Sequence, residues 1–159
     1  VDEIMTVSDK ELIVCFLDMI ENHKMVVENS GLLTVAALKQ LKCQGKKVAA
    51  IMSGGNMDVI TMASVVQQGL ILRERIFTFS VLLPDKPGEL VHVASIVAQN
   101  QGNVIRLDHN QFVSINRNSA VELTITLEAF GGEHKKRILK ALEDAGYHPN
   151  VVAPKAMYQ

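Results

Sequence analysis

Within residues 120–130, apolar and polar side chains alternate with a period of two from Val121 to Glu128. This is the repeat of a β-strand with one covered face, because successive side chains point to opposite sides of a sheet. Residues 76–83 show the same alternation. This part of the chain therefore predicts a sheet with one buried face, which carries Phe77, Phe79, Val81, Leu83, Val121, Leu123, Ile125 and Leu127.

The segments around these strands predict a ferredoxin-like α+β unit with the order βαββαβ and two helices on one face of the sheet. Polar residues suited to a hairpin separate the second and third strands, and glycines begin and end the second helix. In chain order we predict strand 76–83, helix 89–100, strand 104–112, the hairpin turn Asn116-Arg117-Asn118-Ser119, strand 120–130, a helix from Gly131-Gly132 to Gly146, and strand 147–152.

The first 69 residues instead predict an α/β segment. Ser8 and Glu11 have the spacing of a capping box, and the apolar residues that follow recur at helical spacing. The apolar segment 48–52 fits a strand covered on both faces, and Gly69 is placed to stop a helix. In chain order we predict helix 8–23, strand 25–27, helix 30–42, strand 48–52 and helix 58–68.

The change of pattern at residues 70–75 predicts a domain boundary, which divides the chain into residues 1–72 and 73–159.

The turn Ser53-Gly54-Gly55-Asn56 follows the second predicted strand and precedes a predicted helix. Its glycines let a ligand approach the backbone closely, and the first N–H groups of the helix point outward. Ser53 adds a hydroxyl that can donate or accept a hydrogen bond. The pattern is typical of a ligand site, but a tight strand-to-helix turn without a ligand has the same composition.

The order of motifs around this turn resembles a known enzyme family. Lys24-Met25-Val26-Val27-Glu28-Asn29-Ser30-Gly31 leads into an Ala-rich helix, and Gly45-Lys46-Lys47 precedes the Ser53 turn. This order resembles the last part of the catalytic domain of threonine dehydratase (threonine ammonia-lyase) and its serine racemase and serine dehydratase relatives. These are pyridoxal 5'-phosphate enzymes of the tryptophan synthase β-like fold. The resemblance extends from Val1 to about Gly69.

The resemblance implies a cofactor-binding role for the turn. Ser53 would hydrogen-bond the pyridine nitrogen of pyridoxal 5'-phosphate, with Gly54, Gly55 and Asn56 completing the turn. A neutral hydroxyl need not keep that nitrogen protonated, which suits elimination of a β-hydroxyl group. Glu28 aligns with a family glutamate near the cofactor ring. The alternative is an ordinary carboxylate at the start of a helix.

Two parts of the family pattern are missing from the chain. There is no Ser-Phe-Lys-type segment to supply the Schiff-base lysine and no glycine-rich loop for the cofactor phosphate, and Lys24, Lys46 and Lys47 lack that context. The chain also begins at Val1 without an initiator methionine, in register with the interior of the family. We therefore expect a fragment that has no activity by itself, with no catalytic residue assigned in it.

The turn Asp85-Lys86-Pro87-Gly88-Glu89-Leu90, together with Gly102-Asn103-Val104, resembles the ACT domain, an amino-acid-sensing module of metabolic enzymes. Helix N–H groups near Gly88 suit an α-carboxylate, and Asp85 suits an α-ammonium group. The resemblance adds the second strand of a paired domain to the site. Alternatively, Asp85 is only a turn residue and Pro87 only starts a helix. The predicted effector-binding residues are Asp85, Pro87, Gly88, Glu89, Leu90, Asn103, Val104 and Ile105.

Composition narrows the partners and the compartment. The formal net charge of -1 does not favour nucleic acid or an anionic membrane, and the strand aromatics lack the basic pattern of an RNA reader. Cys15 and Cys43 have neither CxxC nor zinc-ligand spacing, which favours free thiols in a reducing cytoplasm. No pair of histidines has metal-ligand spacing, so we expect no metal.

We therefore expect the C-terminal part of a pyridoxal-phosphate-dependent threonine ammonia-lyase of isoleucine biosynthesis. The parent would convert L-threonine to 2-oxobutanoate and ammonia. Its ACT domain would bind isoleucine or valine and form a homo-oligomer. The alternatives are a free-standing amino-acid-binding or assembly module, and a serine-specific relative.

Overall fold

Four helical segments are followed by a four-stranded antiparallel sheet with two helices. The computed structural model describes residues 3–110 and 120–153. Contacts between Cα atoms divide the chain into two units, Val1–Leu72 and Arg73–Gln159.

The described residues of the first unit form three α-helices and one π-helical turn. The capping box is present, since the Ser8 side chain accepts from the Glu11 N–H while the Glu11 carboxylate accepts from the Ser8 N–H. Hydrogen bonds to the Glu11 carboxylate lower its pKa; the bond from the Ser8 N–H has the largest effect, followed by those from the Ser8 hydroxyl and the Gln40 side chain. The elements are α1 (Asp9–Asp18), the π-helical turn Met19–His23, α2 (Asn29–Leu38) and α3 (Val59–Leu72).

The core of the first unit lies between these helices. Phe16 and Leu32 are fully buried, and Cys15 is buried beside them, which raises the pKa of its thiol. The buried apolar residues of the cluster are Leu12, Cys15, Phe16, Met19, Val27, Leu32, Ala36 and Val65.

Both strands predicted in this unit are wrong. Residues 25–27 and 48–52 have no strand structure, and Ile51 is 81% exposed where a strand covered on both faces was expected. A strand needs a neighbour to take up its backbone N–H and C=O groups. Among the described residues of the first unit there is no strand to provide one.

The prediction that Gly69 stops a helix is also wrong. Gly69 is buried inside α3, which continues to Leu72. A Cβ atom at this position would lie 3.3 Å from Leu17 Cδ2, so the missing side chain lets α3 pack closely on α1.

The second unit has the predicted βαββαβ order. Its elements are β1 (Ile76–Pro84), α4 (Glu89–Gln99), β2 (Asn103–Asn110), β3 (Ala120–Glu128), α5 (Gly132–Asp144) and β4 (Asn150–Val152). The strands lie in the order β2-β3-β1-β4, which is the ferredoxin-like arrangement. The predicted turn at residues 116–119, and the end of the predicted strand at Phe112, lie outside the described residues.

One face of this sheet is covered by both helices, as the alternation predicts. Phe79, Leu123, Ile125 and Leu127 are fully buried. They form one core with Val93 and Val97 of α4 and with Ile138 and Leu142 of α5.

His134 is a structural residue of this unit. Its Nδ1 accepts the Phe130 N–H at 2.9 Å, which leaves Nε2 to donate to the carbonyl oxygen of Asn100 at 2.6 Å. The imidazole thereby joins the end of β3, the start of α5 and the end of α4.

Two features are absent from the described residues. No helix among them is long and apolar enough to cross a membrane, and they contain no group of three or more metal-ligating side chains.

Candidate ligand sites

Two turns of the first unit meet at the start of α2. The Glu28 N–H donates to the carbonyl oxygen of Gly54 at 3.2 Å, and the Ser30 hydroxyl donates to Glu28 Oε1 at 2.6 Å. A Cβ atom on Gly31 would collide with the carbonyl oxygen of Ser53, and a Cβ atom on Gly54 would collide with the Glu28 carboxylate. The glycines therefore permit a contact in which Glu28 lies directly against the Ser53-Gly54 turn.

An open cleft of about 260 Å³ lies beside this contact. Asp58 caps α3 by accepting the Thr61 N–H at 2.9 Å, and hydrogen bonds from the Thr61 side chain and backbone lower the pKa of Asp58. The residues that line the cleft come from the start of α2, the turn before α3 and the first turn of α3. They are Glu28, Asn29, Ser30, Asn56, Met57, Asp58 and Thr61.

The structure brings most of the predicted cofactor residues together. Glu28 and Asn56 line the cleft, and Gly54 contacts Glu28. Ser53 to Asn56 are exposed, and Ser53 and Gly55 do not line the cleft. Gly54 has φ +87°, a backbone conformation that residues with a side chain rarely adopt. A Cβ atom on Gly55 would have no atom closer than 4.0 Å.

A second cleft, of about 380 Å³, lies in the second unit at the end of β1. Its lining residues come from the end of β1, the loop between β1 and α4, the first turn of α4, and from β2 and β3. They are Leu83, Pro84, Asp85, Lys86, Pro87, Gly88, Glu89, Leu90, Val91, His109 and Val121. Below we call it the β1–α4 cleft.

The start of α4 gives the β1–α4 cleft both polar and apolar groups. Gly88 is the N-cap with φ +97°, and having no side chain it leaves the first-turn amides uncapped. Such amides favour an anion. The charged side chains in the lining are Asp85, Lys86 and Glu89, and Leu83, Leu90 and Val121 provide apolar surface. This combination suits a small zwitterion with an apolar side chain.

The structure does not bring all eight predicted effector residues into one cleft. Asp85, Pro87, Gly88, Glu89 and Leu90 line it together. Asn103, Val104 and Ile105 lie at the opposite end of the sheet, because the start of β2 pairs with the end of β3 at Glu128. Within a single chain these three residues are therefore remote from the β1–α4 cleft.

The residues predicted from the sequence to bind an effector do not include His109. His109 pairs with Leu123 on β3 and lines the β1–α4 cleft. The hairpin register could have located it, since the start of β3 is paired with the end of β1.

Sequence comparison identifies the relatives of this chain. It is 30% identical over 154 residues to the L-threonine ammonia-lyase of Geobacter sulfurreducens, and 32% identical over 153 residues to that of Thermotoga maritima. Each match covers 96% of this chain and 38% of the relative. The chain is a homologue of the L-threonine ammonia-lyases. The predicted family resemblance is therefore confirmed, and the chain spans somewhat more than a third of the length of these relatives.

A third relative of the same kind matches a shorter stretch. The L-threonine dehydratase biosynthetic IlvA of Corynebacterium glutamicum is 38% identical over 77 residues, which cover 48% of this chain and 18% of that protein. No protein-family model matches the chain.

Two solved structures resemble about half of the chain. The ligand-free regulatory subunit of aspartate kinase from Thermus thermophilus has a TM-score of 0.38 and 17% identity, over 48% of this chain and 49% of that chain. Protein BT0572 from Bacteroides thetaiotaomicron has a TM-score of 0.35 and 20% identity, over 49% of this chain and 48% of that chain. Scores this low do not establish a shared fold.

Proposed function

We propose that this chain is the C-terminal part of a pyridoxal-phosphate-dependent threonine ammonia-lyase that works in the cytoplasm. The parent enzyme converts L-threonine to 2-oxobutanoate and ammonia. The observation that carries the proposal is the match to two threonine ammonia-lyases along 96% of this chain. Because the match covers only 38% of each relative, the remainder of the catalytic domain belongs to other parts of the parent.

In this proposal the first unit is the end of a tryptophan synthase β-like catalytic domain and contributes to its cofactor site. The hydroxyl of the exposed residue Ser53 would hydrogen-bond the ring nitrogen of the cofactor, and Glu28 lies beside the same turn. The close backbone contact that Gly31 and Gly54 permit supports this role, because it holds both groups at one place. When bound, pyridoxal phosphate supplies an electron sink for the substrate.

The chain by itself is inactive in this proposal. It contains no lysine in the context that carries the cofactor and no glycine-rich phosphate loop. The 159-residue chain should therefore release no 2-oxobutanoate from threonine. The full-length parent should prefer threonine to serine, and a higher kcat/KM for serine would favour the serine-specific alternative.

The second unit is an ACT domain that binds isoleucine or valine in the β1–α4 cleft. The uncapped amides at Gly88 favour the α-carboxylate, an acidic side chain such as Asp85 favours the α-ammonium group, and the apolar lining favours a branched side chain. Asn103, Val104 and Ile105 join the site only from the paired domain of a second copy, in a homo-oligomer. The alternative is an assembly module without an effector.

Calorimetric titration of the 159-residue chain with isoleucine, valine, threonine and serine tests this role. Saturable binding of a branched-chain amino acid is expected. Asp85→Ala should weaken binding, because it removes one of the two carboxylates that line the cleft.

Asp144→Ala is the matched control, because Asp144 is an exposed aspartate at the end of α5 outside the cleft lining. It should leave the affinity unchanged. If no amino acid binds, the second unit is not a sensor in this chain. Pyridoxal phosphate, titrated separately, should bind weakly or not at all because the cofactor site is incomplete.

A further inference from the structure

Among the charged residues that line the β1–α4 cleft, Glu89 accepts a hydrogen bond from a residue outside the lining. It is the first residue of α4 and lines the cleft. Its Oε2 accepts the Tyr147 hydroxyl at 2.9 Å. Tyr147 lies outside the cleft lining and belongs to the core, where it is 8% exposed.

The hydrogen-bond directions in this contact are fixed by chemistry. A carboxylate can only accept, so the single hydroxyl proton of Tyr147 goes to Glu89. His92 Nδ1 lies 2.8 Å from the same hydroxyl oxygen and must therefore donate to it. The result is a chain of two hydrogen bonds from His92 through Tyr147 to Glu89, with the two rings also in edge contact at 5.6 Å.

The environment of Tyr147 keeps its hydroxyl a donor to Glu89. Burial, followed by the hydrogen bond to Glu89 and its negative charge, raises the pKa of Tyr147. The phenol therefore stays protonated and remains a donor at neutral pH. A carboxylate has about four acceptor positions, so the bond from Tyr147 leaves room for a second donor.

Asp85, by comparison, lies on the exposed loop before α4. A side chain that must be ordered when a ligand binds loses conformational freedom, whereas one that is already held does not. Glu89 is thus the better preorganised of the two carboxylates in the cleft.

We propose that Tyr147 and His92 are positioning residues that fix Glu89 as the carboxylate facing the ammonium group of the ligand in the β1–α4 cleft. This inference rests on the proposed effector function and adds the residue that selects ligands with an ammonium group. It assigns the main ammonium contact to Glu89, with Asp85 as an auxiliary charge.

The test is a double-mutant cycle on the 159-residue chain, titrated with isoleucine. Tyr147→Phe removes only the hydroxyl and should lower the affinity for isoleucine about tenfold. Glu89→Gln removes the charge and should weaken it at least as much. In the Glu89→Gln background, Tyr147→Phe should have no further effect, because there is no charge left to position. Additive losses would overturn the proposal, since they would mean that Tyr147 acts only through the fold.

Two more variants separate positioning from stability. His92→Ala changes an exposed side chain, so it spares the core, and it should weaken isoleucine in the same direction as Tyr147→Phe but by less. Glu133→Gln neutralises a carboxylate in the first turn of α5 that is 90% exposed, and it should change nothing. An unchanged affinity in both Tyr147→Phe and His92→Ala would overturn the proposal.

A second ligand identifies the group that Glu89 recognises. 3-Methylpentanoate has the carbon skeleton and carboxylate of isoleucine without the ammonium group, so any affinity it has should be the same for wild type and Tyr147→Phe. An equal loss for both ligands would contradict recognition of the ammonium group. If the wild type binds no amino acid, the effector function itself fails. If it binds isoleucine but Tyr147→Phe binds equally well, only the positioning role fails.

Discussion

At the residue scale, the glycines of the first unit carry the clearest structural meaning. Gly31 and Gly54 are required by space: their neighbours are the backbone of Ser53 and the carboxylate of Glu28. Gly55 is in the same turn but has room for a side chain. The sequence predicted that glycines allow a close approach at this turn. It could not show that the approaching group is another part of the same chain.

Gly31→Ala should destabilise the first unit, because its Cβ atom would overlap the Ser53 carbonyl oxygen. Overpacking of this kind typically costs about 1–3 kcal/mol. Gly54→Ala should have a similar effect, since its φ of +87° is also unfavourable for alanine. The free energy of unfolding in urea measures both.

Gly55→Ala is the control for these substitutions and should change the free energy of unfolding by less than about 0.5 kcal/mol. An equal loss for Gly55→Ala and Gly31→Ala would show that the contact between the two turns is not formed.

Glu74 gives the second unit a pH-dependent contact. Its Oε1 lies 2.7 Å from the Lys135 ammonium nitrogen, and this hydrogen bond, with the charge of Lys135, lowers the pKa of Glu74. A carboxyl group whose pKa is lowered by folding stabilises the folded chain at pH values above its pKa in the unfolded chain. This stabilisation is lost as the pH falls through the pKa of the group in the folded chain. The contribution is modest, because the Glu74 side chain is 47% exposed.

The difference in stability between wild type and Glu74→Gln should therefore be largest above about pH 5 and decrease as the pH falls through the lowered pKa of Glu74 in the folded chain. Urea unfolding at a series of pH values measures it. Glu133→Gln, which breaks the more exposed pair with Lys136, should give a smaller difference at every pH. A Glu74→Gln difference that grows on acidification would contradict the assignment.

At the element scale, elements supported by local signals were predicted well. The capping box fixes the start of α1, and period-two alternation located β1 and β3 with the correct buried face. The predicted strands 25–27 and 48–52 failed for a different reason. An apolar run predicts that a segment is suited to a buried strand, but strand pairing also requires neighbours, which the described residues of the first unit do not provide.

The capping box of α1 makes an element-scale prediction. Ser8→Ala removes the acceptor for the Glu11 N–H and should cost about 1 kcal/mol of stability in the first unit. Ser95→Ala is the control, because the Ser95 hydroxyl donates only to the Val91 carbonyl oxygen within α4. It should change the free energy of unfolding by less than about 0.5 kcal/mol. Equal effects would show that the box does not stabilise α1.

At the scale of the whole molecule, the two units contribute in different ways. The first unit places Glu28 against the Ser53 turn but lacks the lysine and the phosphate loop that the proposed chemistry requires. The second unit has a cleft with acidic, basic and apolar groups contributed by its own residues. The sequence located the loop of this cleft, but His109 and the contact from Tyr147 depend on strand register and core packing, which local patterns do not report.

The central claim is that the β1–α4 cleft binds a branched-chain amino acid. The most direct test is a titration of the nitrogen-15-labelled chain with isoleucine, followed by the chemical shifts of its backbone amides. We expect saturable changes in the backbone amide chemical shifts, and the largest should be at residues that line the cleft: Asp85, Gly88, Leu90, Val91 and His109. Absence of saturable shifts, or shifts confined to the first unit, would contradict it.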